Sequence, residues 1–207
     1  MTRTKKNSLN PAIKLWFKAT FRPIGVFKEI AAKKDTLEVS FVMMLVFSIL
    51  YTITAIILCL NDFTPAINPW LPIPKEDYYF YQIFWTIPWG LSTWILISGI
   101  THILATIGRE SSAAKYEYGL FISSISWILP SFYLMWIPET ALAILKIRYT
   151  FPFVVEALRL MIIAPVWQVV LVVFGCRILY GTSWNRGFFI GLITLAVTFF
   201  MFLVFMR

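Results

Sequence analysis

Charged residues are scarce in this chain of 207 residues: they make up 14% of it, whereas apolar residues make up 59%. A soluble domain has roughly a quarter of its residues charged, most of them on its surface. Most of the surface of this protein must therefore face something other than water. The longest polar stretch, residues 1–38, is too short to bury a core of its own, so we expect a single membrane domain.

The residues that carry most enzyme chemistry are also few. The sequence has one histidine, His102, and two cysteines, Cys59 and Cys176, without the spacing of a metal site. Its long apolar runs contain no Asp, Glu, Lys or Arg, and no Gly-rich phosphate loop or His-Glu-x-x-His motif occurs. A catalytic triad, or a haem held by two histidines, is therefore excluded at membrane depth within one chain. We expect a non-enzymatic protein with no cofactor and no bound metal.

Five apolar runs are each long enough to cross a bilayer, whose hydrocarbon core takes roughly 20 residues of helix. Pro88 and Gly90 are expected to kink or break the second run early, and Pro130 and Pro165 lie inside the third and fourth. Residues 138–159 are of mixed polarity and are expected to lie at the membrane interface, partly helical. The predicted fold is all-α, a bundle of about five transmembrane helices. The predicted spans are residues 39–60, 78–108, 118–137, 160–176 and 187–206.

Basic residues are concentrated at the N-terminus, where nine of the 18 Lys and Arg residues precede the first span. A nucleic-acid binder also clusters basic residues, but it does not follow them with five apolar runs, so no nucleic-acid partner is expected. With the N-terminus inside, 13 of the 18 lie in inside segments and five in outside segments. The positive-inside rule therefore favours a cytoplasmic N-terminus and an external C-terminus.

Residues 1–38 are predicted to form a basic, cytoplasmic, amphipathic segment ahead of the transmembrane domain of residues 39–207. Asn10 and Pro11 are typical of the start of a helix. The pattern that follows is typical of a helix lying flat at a membrane surface, which serves as an anchor before the first span or as a docking surface for a cytoplasmic partner or lipid. Its apolar face comprises Ile13, Trp16, Phe17, Thr20 and Phe21, beside a basic ladder of Lys14, Lys18 and Arg22.

Further candidate contacts lie at the cytoplasmic ends of the spans. His102 is about two turns before Gly108, where it is expected either to be a neutral, hydrogen-bonded side chain or to form a pH-responsive or partner-contacting site. The charged residues grouped with this site in the cytoplasmic turns are Arg109, Glu110, Glu117 and Arg186.

Small residues predict close helix packing. Gly187 and Gly191 form a small-xxx-small pair at the start of the last span, and Pro130 lies inside the third span. Packing within one chain is the default for such a pair, and a homo-oligomer is the alternative.

Three stretches resemble the Yip-domain family, the Ypt/Rab-interacting membrane proteins and their prokaryotic relatives. Residues 21–30, Phe-Arg-Pro-Ile-Gly-Val-Phe-Lys-Glu-Ile, resemble the Pro-x-x-x-Phe-x-x-Ile segment that precedes the first span in prokaryotic members. Residues 101–108, with Tyr118, Gly119 and Pro130 after them, resemble the His-to-Gly turn and the proline-bearing third span. Residues 181–186 resemble the turn before the final helix. The resemblance implies a five-helix domain in a prokaryotic plasma membrane, whose cytoplasmic N-terminus and turns contact partners.

Two functions follow as hypotheses. The first is a membrane adaptor or scaffold that binds protein or lipid partners through its N-terminus and turns, and a closed bundle would favour it. The alternative is a transporter-type or accessory-subunit role in binding or moving a lipid-like or amphipathic molecule. A cavity lined by aromatic and small residues of the spans would favour this alternative; the candidates are Trp85, Trp89, Trp94, Ser98 and Trp127.

The predicted topology can be tested with single cysteines. We expect a membrane-impermeant maleimide to label a Lys5→Cys variant only from the cytoplasmic side and an Arg207→Cys variant only from the outside, because five spans place the termini on opposite sides. Labelling of sealed vesicles of both orientations measures this. Cytoplasmic labelling at both positions would require an even number of spans.

Overall fold

The fold is entirely helical in the part of the chain that the structure, a computed structural model, describes: residues 9–33, 35–65, 71–108, 115–147, 155 and 157–206. The structure is 87% helical, and no strand occurs among these residues. The predicted all-α class is therefore confirmed.

Eight α-helices follow one another along the described residues, with two π-helical segments and a short 3₁₀ turn between them. The helices are α1 (Leu9–Phe21), α2 (Pro23–Ala31), α3 (Thr36–Leu60), α4 (Tyr78–Thr106), α5 (Tyr116–Ser131), α6 (Ile137–Ile144), α7 (Ala164–Tyr180) and α8 (Trp184–Met206). The 3₁₀ turn covers Lys75–Asp77, the first π segment is Phe132–Trp136, and the second π segment is Ala157–Ile163.

Five helical stretches of the described chain are long and apolar enough to cross a membrane, which confirms the predicted number. They are Thr36–Leu60, Lys75–Thr106, Tyr116–Ile144, Leu158–Tyr180 and Trp184–Leu203. The fold is that of a multi-pass membrane protein. We call the end of the bundle where α3 begins the N-side and the opposite end the far side.

Two details bear on the predicted spans. Helix α4 continues through Pro88, so the predicted break does not occur there; inside a membrane, neighbouring groups can satisfy the backbone atoms that a proline frees. The third span is also longer than predicted and reaches Ile144, so the first part of the expected interfacial segment continues the span. Pro138 lies two residues after the first π segment, whose i→i−5 hydrogen bonds already interrupt the regular pattern of the helix.

Helix α5 is the centre of the bundle. It packs against α3, α4 and α7, and every residue from Gly119 to Ser131 is buried. Small polar residues allow this close packing: the Ser124 hydroxyl donates to the carbonyl oxygen of Leu120 at 2.9 Å and to that of Ser40, on α3, at 3.3 Å. The hydroxyl is thus satisfied by backbone atoms rather than by water.

The N-terminal helices pack onto this bundle, and α1 does so through a different surface from the predicted face. Its buried residues are Ala12, Leu15, Trp16 and Ala19, whereas Ile13, Phe17 and Phe21 are exposed. The periodicity of α1 produces an apolar arc wider than one contact surface, so only part of it meets the bundle.

Trp16 is the main anchor of α1. Its ring centroid lies 5.0 Å from that of Phe132 and 6.2 Å from that of Phe47, both in edge-to-face geometry. The hydroxyls of Thr20 and Tyr133 are 3.0 Å apart. Helix α1 therefore contacts the bundle along its side rather than at its end.

An ion-pair cluster ties α1 to α2. The Glu29 carboxylate accepts from the Lys18 ammonium at 2.5 Å and from the Lys33 ammonium at 2.8 Å. Both ammonium groups hold the pKa of Glu29 below its ordinary value, with the Lys18 hydrogen bond the larger cause. Because all three side chains are at least one-third exposed, the cluster orients the two helices more than it stabilises them.

Substitutions at two glycines, one at a close helix contact and one in open space, test how tightly α5 packs against α4. A Cβ on Gly119 would lie 2.7 Å from the carbonyl oxygen of Ser98, whereas a Cβ on Gly99 would meet nothing within 4 Å. We expect Gly119→Ala to destabilise the fold by about 1–3 kcal/mol, because the backbone of α4 must move. Gly99→Ala should stabilise it by roughly 0.5–1 kcal/mol through helix propensity. Thermal unfolding of both variants in one detergent measures this, and equal melting temperatures would contradict the close approach.

Candidate functional site: an apolar cavity in the bundle

A cavity of about 280 Å³ lies inside the bundle, and all five spans contribute to its wall. Its lining is predominantly apolar, and the described residues that form it include no charged side chain. The wall residues are Met44, Phe47, Ser48 and Tyr51 of α3, Thr86, Trp89 and Gly90 of α4, Trp127, Pro130 and Ser131 of α5, Met135 of the first π segment, Leu160 and Met161 of the second, Ala164, Pro165 and Gln168 of α7, and Leu195, Thr198, Phe199, Phe202 and Leu203 of α8.

Interruptions of regular helix surround this cavity. Pro130 lies in the last turn of α5, two residues before the first π segment, and Pro165 lies in the first turn of α7, directly after the second π segment. A proline removes a backbone donor, and a π turn inserts an extra residue, so each changes the direction in which neighbouring side chains point. Side chains of regular helices would fill the space at this level. The irregular helices here leave part of it unfilled, and that space is the cavity.

Gly90 allows α4 to approach α3 beside the cavity. A Cβ at residue 90 would lie 2.7 Å from Ser48 Oγ and 3.4 Å from Met44 Cε. Any larger residue at this position would push the two helices apart or displace both side chains. The wall between α3 and α4 therefore depends on glycine for its shape.

Few polar groups reach the wall. Gln168 Nε2 donates to Thr198 Oγ1 at 2.9 Å, and Thr86 Oγ1 donates to a backbone carbonyl oxygen of its own helix at 2.6 Å. Among the described residues the buried hydroxyl of Ser48 has no hydrogen-bond partner. The cavity thus suits an apolar chain with at most a small polar group, because a charged group would find no counter-ion in the wall.

The rim of the cavity reaches the outer surface of the bundle. Met161 and Phe199 both line the cavity and are exposed, at 68% and 58% respectively. They belong to the start of the fourth span and the end of the fifth, so the wall of the cavity reaches the outer surface in the far-side half of the bundle.

The cavity includes only part of the aromatic set that the sequence suggested. Trp89, Trp127 and Pro130 line it, whereas Trp85, Trp94 and Ser98 do not. The Trp94 indole N–H donates to the carbonyl oxygen of Leu120 at 2.9 Å and joins α4 to α5. The residues that the sequence did not single out are the small and polar ones on other helices, notably Ser48, Gln168 and Thr198. These polar residues lie within spans that are otherwise apolar and uncharged, and that pattern is the sequence signal that could have identified them.

His102 belongs to a separate, tightly packed cluster on the N-side. Its Nδ1 lies 3.0 Å from the Tyr180 hydroxyl, which donates to the carbonyl oxygen of Lys115 at 3.2 Å. The ring of His102 also meets that of Tyr116 edge-to-face. These contacts join α4, α5 and α7, which is the structural role that the sequence left open for this histidine.

Arg186 caps the end of α4. Its guanidinium donates to the carbonyl oxygens of Leu104, at 2.7 and 2.9 Å, and of Ile107, where carbonyls at a helix C-terminus lack partners within the helix. Glu117 lies in the first turn of α5, at a separate surface depression lined also by Asp35 and Glu38. Arg109 and Glu110, which the sequence grouped with His102, lie outside the described residues.

The last two candidate groups have distinct surroundings. Gly187 and Gly191 face α7, where Cβ atoms on them would lie 3.5 Å from Val173 and 3.0 Å from Val169. This is packing within one chain. Of the N-terminal candidates, Trp16 is buried, whereas Phe17 and the three basic residues Lys14, Lys18 and Arg22 are exposed.

Comparison with known proteins adds no relative: no family model, no curated protein and no solved structure matches the chain.

Proposed function

We propose that this integral membrane protein binds a lipid-like molecule inside its helical bundle, in a transporter-type or accessory-subunit role. The observation that carries the proposal is the apolar cavity, because it is walled by all five spans and its rim includes exposed residues at the lipid-facing surface. Of the two functions inferred from the sequence, this one requires a cavity and the adaptor does not.

The size of the cavity limits what it holds. An apolar cavity of roughly 150 Å³ accommodates benzene, and this one measures about 280 Å³. It fits a segment of a single acyl or isoprenoid chain rather than a whole two-chain phospholipid. The wall reaches the outer surface at Met161 and Phe199. The remainder of such a molecule would stay among the lipid tails there.

Packing favours an occupied cavity over an empty one, because wall atoms beside an empty space have no partner atoms on that side. A chain that fills the space recovers dispersion contacts that the wall otherwise lacks.

The adaptor function remains a second candidate, because Lys14, Lys18 and Arg22 are exposed and can meet a partner. Membership in the Yip-domain family also remains a proposal. It is supported by the positions of the residues that carry the resemblance: Phe27 and Ile30 are fully buried, and Gly108 and Gly181 adopt positive φ at helix ends. Both proposals are non-enzymatic.

Filling the cavity tests the proposal. We expect Ala164→Phe, and independently Ser131→Leu, to reduce photo-crosslinking of a diazirine-bearing fatty acid severalfold, because each places carbon atoms in the space that the chain would occupy. The readout is the yield of adducts on the α4 peptide that contains Trp89 and Gly90, measured by mass spectrometry of protein in vesicles.

Val166→Phe is the matched control. It adds the same ring on the same helix, two residues from Ala164, at a position that is 57% exposed and does not line the cavity. Its adduct yield should equal that of the unsubstituted protein. If the two fillers and the control give the same yield, the fatty acid contacts only the outer surface and the cavity does not bind it.

A further inference from the structure

Helix α1 carries three separate stripes along its length. One stripe faces the bundle and is buried. The second is apolar and exposed, with one residue every four positions, and the third is basic and exposed with the same spacing. The buried stripe is Ala12, Leu15, Trp16 and Ala19; the apolar stripe is Leu9, Ile13, Phe17 and Phe21; the basic stripe is Lys14 and Lys18, extended by Arg22 directly after the last residue of α1.

The apolar stripe has no cover within the described chain. Phe17 is 55% exposed and Phe21 is 83% exposed, and the other two members are 43% and 36% exposed. A continuous row of large apolar residues on a helix surface marks a contact with another apolar phase.

The basic stripe is only partly neutralised. The one acidic residue within α1 and α2 as described is Glu29, and it already pairs with Lys18 and Lys33. Lys14 and Arg22 are left without an ion-pair partner among the described residues, at the two ends of the stripe. The stripe thus presents net positive charge beside the apolar row.

The angular arrangement of the stripes matches a membrane interface. At 100° per residue the three stripes are each about a third of a turn from the next. With the bundle at one side of α1, the apolar stripe can point into acyl chains while the basic stripe points toward phosphate groups. The flat surface of a rigid protein partner would cover only one of the two exposed stripes. If it covered the basic stripe, the apolar stripe would be left in water.

We propose that α1 binds the N-side leaflet of the bilayer through anionic phospholipid headgroups, with Lys14 and Arg22 at the phosphates and the Leu9–Phe21 apolar stripe in the acyl region. The partner is the anionic lipid surface itself. Each exposed basic residue near such a surface adds electrostatic attraction to the anionic headgroups. This inference is distinct from the cavity, because no residue of α1 lines it.

An environment-sensitive dye on α1 tests the proposal in the full-length protein. The dye is attached at Phe17→Cys in a Cys59→Ser background, with the fully buried Cys176 retained, and the protein is placed in vesicles of phosphatidylcholine with or without phosphatidylglycerol. We expect lipid-borne quenchers to quench the dye severalfold more in the anionic vesicles. A dye at Lys14→Cys should be quenched less by lipid and more by aqueous iodide.

A matched pair of variants separates the basic stripe from general charge effects. Lys14→Gln with Arg22→Gln should abolish the dependence of quenching on phosphatidylglycerol, while Lys75→Gln with Lys146→Gln removes the same charge at the far side and should leave it intact. Equal lipid quenching in both vesicle types would overturn the proposal. So would strong iodide quenching at Phe17→Cys, the result expected if the stripe serves a soluble acidic protein. Identical elution profiles establish that each variant is folded.

Discussion

The structure depends on one constraint: in a hydrocarbon environment each backbone N–H and C=O group has to find a partner inside the protein. Regular helices meet this constraint without help, which is why five of them cross the membrane. Where a helix is interrupted, the freed groups and displaced side chains have to be accommodated by neighbours. In this chain the interruptions are concentrated around Pro130 and Pro165 and their adjoining π segments. The cavity is the space that these interruptions leave.

The wall of the cavity and the seat of the N-terminal helix share side chains. Phe47 lines the cavity and also contacts Trp16 of α1. Phe132, the other ring against Trp16, begins the first π segment, from which Met135 reaches the cavity. The middle of α3 and the first π segment therefore separate an internal apolar space from an external amphipathic helix. A change in the packing of α1 or of the cavity wall would therefore displace the same aromatic rings.

The N-side of the bundle is assembled differently, through polar contacts that involve backbone carbonyls. Arg186 caps α4, and Tyr180 connects His102 with the carbonyl oxygen of Lys115. Two glycines also shape the N-side. Gly119 lets the backbone of α4 approach α5 closely, and Gly181 ends α7 in a left-handed conformation. These contacts hold the ends of the helices together where water competes for hydrogen bonds, while the region near the cavity is held mainly by apolar packing, with the Gln168–Thr198 hydrogen bond between α7 and α8.

The sequence by itself determined the membrane class, the all-α fold and the number of spans, because lipid solvation is a property of each uncharged run taken alone. It also located the prolines and the basic stripe of α1. Only the tertiary structure decided that Ser48, Gly90, Gln168 and Thr198 meet around one space, since they come from four helices and their encounter depends on how those helices pack. The same holds for α1: its apolar arc is visible in the sequence, but the bundle selects which part, around Trp16, is buried and which, around Phe17, is left outside.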